Sequence, residues 1–122
     1  MSKKILVIDD DKDIAQLLMT RLKANNYQVF VAYDGMQAKQ IAHREMPDLI
    51  ISDIMMPAGG GRSVFAALRS SATTSTIPFI FITGLTHEDV SQRGLEIPIE
   101  DFFKKPFDGK QIVERIKQIL GE

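Results

Sequence analysis

The chain has 122 residues, of which 44% are hydrophobic and 25% are charged, and its formal net charge at pH 7 is -1. These values are typical of one globular domain with its own core, so we expect a single domain covering residues 1–122. A charge this close to zero gives no electrostatic reason to expect direct binding of nucleic acid or of a membrane. The chain contains no cysteine, which excludes disulfides and thiolate chemistry and suits a cytoplasmic protein.

Short apolar runs alternate with amphipathic segments along the whole chain. The predicted strands are Lys4–Ile8, Gln28–Ala32, Asp48–Ser52, Phe79–Thr83 and Asp101–Phe103. The predicted helices are a first one with apolar residues from Ile14 to Leu22, then Met36–Arg44, Ser63–Ser70, about 87–93, and a last one through 112–120. Because parallel strands need crossover helices, this alternation predicts an α/β fold with a doubly wound, five-stranded parallel sheet. Among the possible topologies we choose the flavodoxin-like strand order 2-1-3-4-5.

Two of the predicted strands end in acidic residues. Asp9, Asp10 and Asp11 follow the first strand, and Asp53 follows the third. In the chosen order these two strands are neighbours, and their carboxyl ends meet at the edge where open α/β sheets place their sites. Carboxylates held this close repel one another strongly, so such a cluster normally takes up a divalent metal or a proton. We assign Asp11 to the N-cap of the first helix, which leaves Asp9 and Asp10 for the site.

Two further residues with suitable chemistry stand at strand ends, Thr83 after the fourth strand and Lys105 after the fifth. A carboxylate nucleophile, a metal, a hydroxyl and an ammonium together are what phosphoryl transfer to an aspartate requires. Taken alone, Thr83 is typical of an ordinary β-branched strand residue, and Lys104 is an equal rival to Lys105. The residues therefore predict this chemistry only as a set.

That set resembles the receiver domain of two-component response regulators, of the stand-alone CheY-like kind. The resemblance spans nearly the whole chain and is carried by Asp9-Asp10, by Asp53 with Met56-Pro57 and Gly61 after it, by Thr83, and by Lys105-Pro106. It implies that Asp53 accepts a phosphoryl group from a sensor histidine kinase or a histidine phosphotransfer protein, with Mg²⁺ as the cofactor. It also implies a signalling switch rather than an enzyme, one that assists its own phosphorylation and dephosphorylation and alters binding to a separate downstream target.

The resemblance also implies the metal ligands. Asp10, Asp53 and the backbone carbonyl of Met55 would bind Mg²⁺ directly, and Asp9 would act through a water molecule.

Further roles follow from the same resemblance for the residues near the phosphoryl group. Thr83 and Lys105 would contact that group once it is attached. The choice of Lys105 over Lys104 rests on the strand's period of two and on Pro106, which the family often holds in cis. Phe102 falls on the family's aromatic switch position and would turn inward as Thr83 moves toward the phosphate.

The region of the fourth helix departs from the family. Residues 97–99 (Ile-Pro-Ile) replace a small, glycine-containing turn, and the helix itself is polar, so we predict that this region is the most mobile part of the fold. It also belongs to the family's usual output face, formed by the fourth helix, the fifth strand and the fifth helix. The two histidines, His43 and His87, are interpreted as surface residues without a role.

Two other functions stay open at this point. A phosphohydrolase with an aspartyl nucleophile uses similar residues, but its haloacid-dehalogenase type carries a D-x-D motif, and Met55 stands where the second acid would follow Asp53. A pseudo-receiver would bind partners without phosphorylation, although all the acceptor and metal residues are present here.

Overall fold

The computed structural model describes residues 2–54 and 60–122, with only the backbone described for residues 60–62. The strands are Lys4–Ile8 (β1), Gln28–Ala32 (β2), Leu49–Asp53 (β3), Phe79–Thr83 (β4) and Phe102–Lys104 (β5). The α-helices are Lys12–Ala24 (α1), Gly35–Glu45 (α2), Gly60–Ser70 (α3), His87–Gln92 (α4) and Gly109–Leu120 (α5), and a 3₁₀ helix covers Ile99–Asp101. Within these ranges no helix is long and apolar enough to cross a membrane.

All five strands form one parallel sheet in the order β2-β1-β3-β4-β5. This confirms the predicted α/β fold, including the reversal of winding between β1 and β3. In the register of that central pair, Ile8 lies opposite Ser52, so the residue that follows each of these two lies at the same edge of the sheet. The fold therefore brings the two acidic strand ends side by side.

The hydrophobic core lies on both faces of the sheet, and the buried strands alternate between the two. Ile5 and Val7 of β1 face α1 and α5, whereas Leu6 and Ile8 pack with α2, α3 and α4. Strands covered on both faces read as continuous apolar runs, which is why the sequence showed β1, β3 and β4 so clearly.

Some element boundaries differ from the prediction. β3 begins at Leu49 rather than Asp48, because the Asp48 carboxylate accepts a hydrogen bond from the backbone N–H of Lys4 at 2.7 Å and turns the chain into the strand. β5 is Phe102–Lys104 rather than Asp101–Phe103, since the 3₁₀ helix, which was not predicted, includes Asp101. The third helix begins at residue 60 rather than 63.

Side-chain caps fix the start of the helices that lead away from the site. The Oδ1 of Asp11 accepts hydrogen bonds from the backbone N–H groups of Asp13 and Ile14, at 2.9 and 3.2 Å. This confirms Asp11 as the N-cap of α1. At α4, Thr86 and Asp89 form a reciprocal capping box, each side chain accepting a hydrogen bond from the other residue's backbone N–H.

Candidate functional site

Three carboxylates meet at the carboxyl edge of the central strands. Asp9 directly follows β1, and Asp53 is the last residue of β3. Asp9 comes two residues after Val7, and Asp53 comes two residues after Ile51. Since Val7 and Ile51 face α1 and α5, the alternation along a strand places both acids on that same side of the sheet. One carboxylate oxygen from each of Asp9, Asp10 and Asp53 lies within 4.8 Å of the others. Asp9 and Asp53 are buried, and Asp10 is exposed, so the cluster has a buried floor and an open mouth.

A single ammonium bridges the two buried carboxylates. The Nζ of Lys105 lies 3.0 Å from the Oδ2 of Asp53, to which it donates a hydrogen bond, and 3.0 Å from the Oδ2 of Asp9. Its own backbone N–H donates to the carbonyl oxygen of Thr83 at 2.7 Å, and the bond between Lys105 and Pro106 is cis. Lys104 is exposed. Of the two candidate lysines, the structure brings Lys105 to the carboxylates.

The Asp9 carboxylate is fully buried and only partly satisfied. Its Oδ1 accepts a hydrogen bond from the backbone N–H of Asp11 at 2.9 Å. Its Oδ2 has the ion pair with Lys105, but no well-aligned hydrogen-bond donor reaches it from the described part of the chain. Burial raises the pKa of Asp9 above its ordinary value, because this desolvation outweighs the Asp11 hydrogen bond and the Lys105 ammonium.

The pKa of Lys105 is raised as well, but its cause is the two neighbouring carboxylates rather than burial. Burial on its own lowers the pKa of Lys105, but the hydrogen bonds and negative charges of Asp9 and Asp53 outweigh it and raise the pKa above its ordinary value. Lys105 is therefore charged throughout the physiological pH range. It neutralises part of the carboxylate cluster and leaves the rest available to a second cation.

The donor set fits a hard divalent metal. Three carboxylates within 4.8 Å offer the oxygen ligands that Mg²⁺ prefers, and the buried Oδ2 of Asp9 lacks a well-aligned hydrogen bond. The cluster could therefore hold such an ion through Asp9, Asp10 and Asp53. The fourth predicted ligand, the backbone carbonyl of Met55, lies outside the described residues, as do Met56 and Pro57 of the motif.

The remaining predicted residues lie on the two adjacent strands. Thr83 is the buried last residue of β4, and its Oγ1 accepts a hydrogen bond from the backbone N–H of Leu85 at 3.2 Å. Phe102 is the half-buried first residue of β5 and lies opposite Phe81 in the register. Thr83 therefore stands at the same edge as the carboxylates, and Phe102 stands on the strand that leads to Lys105.

One residue that the sequence did not single out has specific contacts. His87, interpreted as a surface residue, is half-buried. Its Nε2 lies 2.6 Å from the carbonyl oxygen of Ile97, and its ring meets that of Phe102 edge to face with centroids 5.1 Å apart. His43 is exposed, as predicted. Ile97 lies beyond the end of α4 and Phe102 lies on β5, so the periodicity within α4 could not have shown these contacts.

Residues 5–117 match the family described as the response regulator receiver domain. The chain is 42% identical over 120 residues to a probable transcriptional regulator, ycf27, of Porphyridium aerugineum, covering 97% of this chain and 48% of that protein. It spans about half the length of the curated relatives it matches.

Solved structures give the same result. The chemotaxis response regulator CheY4 of Vibrio cholerae superposes with a TM-score of 0.86 at 27% identity, covering 98% of this chain and 99% of that one. The signal receiver domain of a histidine kinase from Syntrophus aciditrophicus gives 0.87 at 30% identity, covering 98% and 91%. The chain belongs to the response regulator receiver domain family of two-component signalling, and its acidic pocket of Asp9, Asp10 and Asp53 fits the phosphoacceptor site.

Proposed function

We propose that Asp53 is the phosphoacceptor of this receiver domain and that its phosphorylation switches the binding of a partner protein. The observation that carries the proposal is the position of Asp53 at the end of β3, buried, with Asp9 and Asp10 close by and the Lys105 ammonium 3.0 Å from its Oδ2. An aspartyl nucleophile needs cationic neighbours to neutralise an incoming phosphoryl group. Family membership supports the same assignment.

The chain's own residues account for the transfer. A carboxylate oxygen of Asp53 forms the new phosphorus–oxygen bond as the bond to the donor breaks, and the donor leaves with that electron pair. Lys105 neutralises a phosphoryl oxygen with its ammonium. Thr83 donates a hydrogen bond to another, because accepting from Leu85 leaves its hydroxyl proton available. Thr83 and Lys105 thus stabilise the charge that the phosphoryl group brings.

We assign the metal site to Asp9, Asp10 and Asp53, together with the backbone carbonyl of Met55 that the family resemblance implies. When Mg²⁺ is bound there, it supplies positive charge that offsets the repulsion between the carboxylates and the phosphoryl oxygens. By the same resemblance, Asp10 and Asp53 would bind the ion directly and Asp9 would act through a water molecule. The charge of the pocket supports this assignment, since in the described part of the chain the Lys105 ammonium is paired with two of the three clustered carboxylates.

The partners follow from the signalling role. The donor is a sensor histidine kinase or a histidine phosphotransfer protein, and the output goes to a separate downstream target in the cytoplasm through the face formed by α4, β5 and α5. The domain covers residues 1–122 and is a switch rather than an enzyme. It contacts neither nucleic acid nor membrane directly. Phe102 on β5 connects the phosphoacceptor edge with that face.

The test is incubation of the chain with Mg²⁺ and acetyl phosphate, followed by intact-mass measurement and peptide mapping. We expect one added phosphoryl group, located on Asp53 and absent from Asp53→Asn. Asp13→Asn is the matched control, because Asp13 is an exposed acid of α1, and it should be modified like the wild type.

Other outcomes would contradict the proposal and favour a rival. Rapid multiple turnover of phosphate esters would indicate a phosphohydrolase. The absence of any adduct in the wild type, with Mg²⁺ and acetyl phosphate both in excess, would indicate a pseudo-receiver.

A further inference from the structure

His87, in the first turn of α4, contacts two other segments: the one that follows α4 and strand β5. Its Nε2 lies 2.6 Å from the carbonyl oxygen of Ile97, and its ring meets the ring of Phe102 at 82° with centroids 5.1 Å apart. A carbonyl oxygen only accepts hydrogen bonds, so this ring nitrogen carries a proton. An edge-to-face pair of this kind is a favourable aromatic geometry. One side chain therefore connects α4, the segment after α4, and β5.

Both partners of His87 are attached to the core. Ile97 is 5% exposed and belongs to the hydrophobic cluster between the sheet and helices α2 to α4. Phe102 packs against the same cluster from β5. Pro98, which follows Ile97, has no backbone N–H, and the 3₁₀ helix begins one residue later. The His87 side chain therefore fixes a segment that has few backbone hydrogen bonds of its own.

The end of β4 links His87 to the phosphoacceptor edge. Three residues lie between Thr83 and His87. Of these, Leu85 donates its backbone N–H to the Thr83 side chain, and Thr86 caps α4. From the other side, Lys105 donates its backbone N–H to the carbonyl oxygen of Thr83, and β5 pairs with β4. A displacement of Thr83 is therefore passed to His87 along one path and to β5, which begins with Phe102, along another.

We propose that His87 is the positioning residue that sets the resting arrangement of Phe102 and of the segment through Ile97. This inference rests on the proposed function and adds to it the contact that phosphorylation must alter. When Thr83 moves toward the phosphoryl group, the two rings change their relative position, and the His87 contact breaks. In the unphosphorylated chain the contact holds the output face in its resting state.

Three substitutions of His87 separate its hydrogen bond with Ile97 from its ring contact with Phe102. His87→Ala removes both the hydrogen bond and the ring, His87→Gln keeps an N–H group for the Ile97 carbonyl, and His87→Phe keeps a ring against Phe102. His43→Ala is the matched control, because His43 is an exposed histidine of α2. Circular dichroism shows which variants are folded, and the Gln and Phe variants keep the test open if His87→Ala does not fold.

The readout is NMR of the isoleucine methyl groups and of labelled phenylalanine rings, recorded with and without Mg²⁺ and acetyl phosphate. Without phosphodonor, we expect the Ile97 and Phe102 signals of His87→Ala to move toward their positions in the phosphorylated wild type. Loss of one net hydrogen bond, about 1 kcal/mol, corresponds to a shift of about fivefold in the ratio of the two states. His87→Gln and His87→Phe should each restore part of the resting position.

A purely structural role gives a different result. It would lower the melting temperature of His87→Ala, move the Ile97 and Phe102 signals in a direction other than toward the phosphorylated wild type, and leave their response to acetyl phosphate as large as in the wild type and in His43→Ala. That outcome would overturn the inference while the adduct on Asp53 still supports the proposed function. If the wild type forms no adduct on Asp53, the proposed function fails and this inference fails with it.

Discussion

Replacing Lys105 by Gln should make the stability of the chain depend strongly on Mg²⁺. The Lys105 ammonium lies 3.0 Å from one oxygen of Asp9 and 3.0 Å from one oxygen of Asp53. Its side chain is 20% exposed, and those of the two acids are 0% and 5% exposed. Because these contacts are largely shielded from water, removal of Lys105 takes an ammonium away from two buried carboxylates that lie close together.

The size of the effect follows from this geometry. At an effective dielectric constant of about 20, each pair at this distance is worth about 5 kcal/mol before desolvation is subtracted. Removing one partner of a buried pair typically costs about 3–5 kcal/mol, and the partial exposure of Lys105 places this case at the lower end. We expect a loss of about 3 kcal/mol, which lowers Tm by roughly 10 °C for a chain of this size.

Magnesium should restore most of that loss. A ligand at 100 times its Kd stabilises the folded state by about 2.7 kcal/mol, and the variant lacks the ammonium that opposes a metal at the same carboxylates. The assay is thermal unfolding followed by circular dichroism, in EDTA and in a Mg²⁺ series. Lys104→Gln is the control, because Lys104 is the exposed neighbour. Equal losses for the two lysine variants, or a Mg²⁺ gain no larger in Lys105→Gln than in the wild type, would refute the reasoning.

Four other measurements test the remaining assignments. Asp9→Asn should raise Tm at pH 7 in EDTA, because it removes a buried carboxylate while Lys105 keeps Asp53 as its partner. The pKa of Asp9 is raised, so the stability that its protonated form provides is present at low pH and is lost as pH rises through the folded-state pKa. The stability gained by the wild type on acidification should therefore shrink in Asp9→Asn. Asp10→Ala should weaken Mg²⁺ binding at least about tenfold by calorimetry and slow acceptance from acetyl phosphate, whereas Asp13→Ala should bind Mg²⁺ normally. Arg69→Met should lose about 2 kcal/mol in urea unfolding, because the Arg69 guanidinium stacks on two phenylalanine rings and donates to two backbone carbonyls; Arg44→Met, at an exposed position of α2, should lose less than about 0.5 kcal/mol. Amide exchange should be fastest in α4 among the helices, and slower exchange there than in α2 would contradict the predicted mobility.

The sequence predicted the strands well because their signal is local. Strands buried on both faces appear as short apolar runs, and the order of runs and helices left few topologies. The strand alternation also carried site information. Asp9 and Asp53 each lie two residues after a strand residue that faces α1 and α5, and Lys105 lies two residues after Phe103, which faces the same side. The geometry that brings Lys105 rather than Lys104 to the carboxylates is therefore partly encoded in a period of two.

What the sequence did not show depends on contacts across the fold. The 3₁₀ helix is too short for a periodic signal, and its consequence was a one-residue error at the start of β5. The third strand was predicted to begin one residue too early, because Asp48 forms a hydrogen bond with Lys4, which is 44 positions away in the sequence. His87 was interpreted as a surface residue because its partners are a backbone carbonyl and a ring on other elements. Element boundaries and side-chain contacts of this kind depend on the tertiary structure and have no signal in the local sequence.

If Asp53 is phosphorylated as proposed, the charge balance of the pocket requires the contacts of Lys105 to rearrange. Among the described residues, Asp9, Asp10 and Asp53 form a cluster of carboxylates, and the Lys105 ammonium lies 3.0 Å from both Asp9 and Asp53. A phosphoryl group on Asp53 carries nearly two negative charges, so Lys105 cannot serve it and keep both present partners. The backbone N–H of Lys105 is bonded to the carbonyl oxygen of Thr83 at 2.7 Å. If the Lys105 ammonium moves from Asp9 or Asp53 to the phosphoryl group, the backbone of Lys105 pulls on the end of β4, which also carries the Thr83 hydroxyl. Phosphorylation is thereby coupled to the side of the domain formed by α4 and β5.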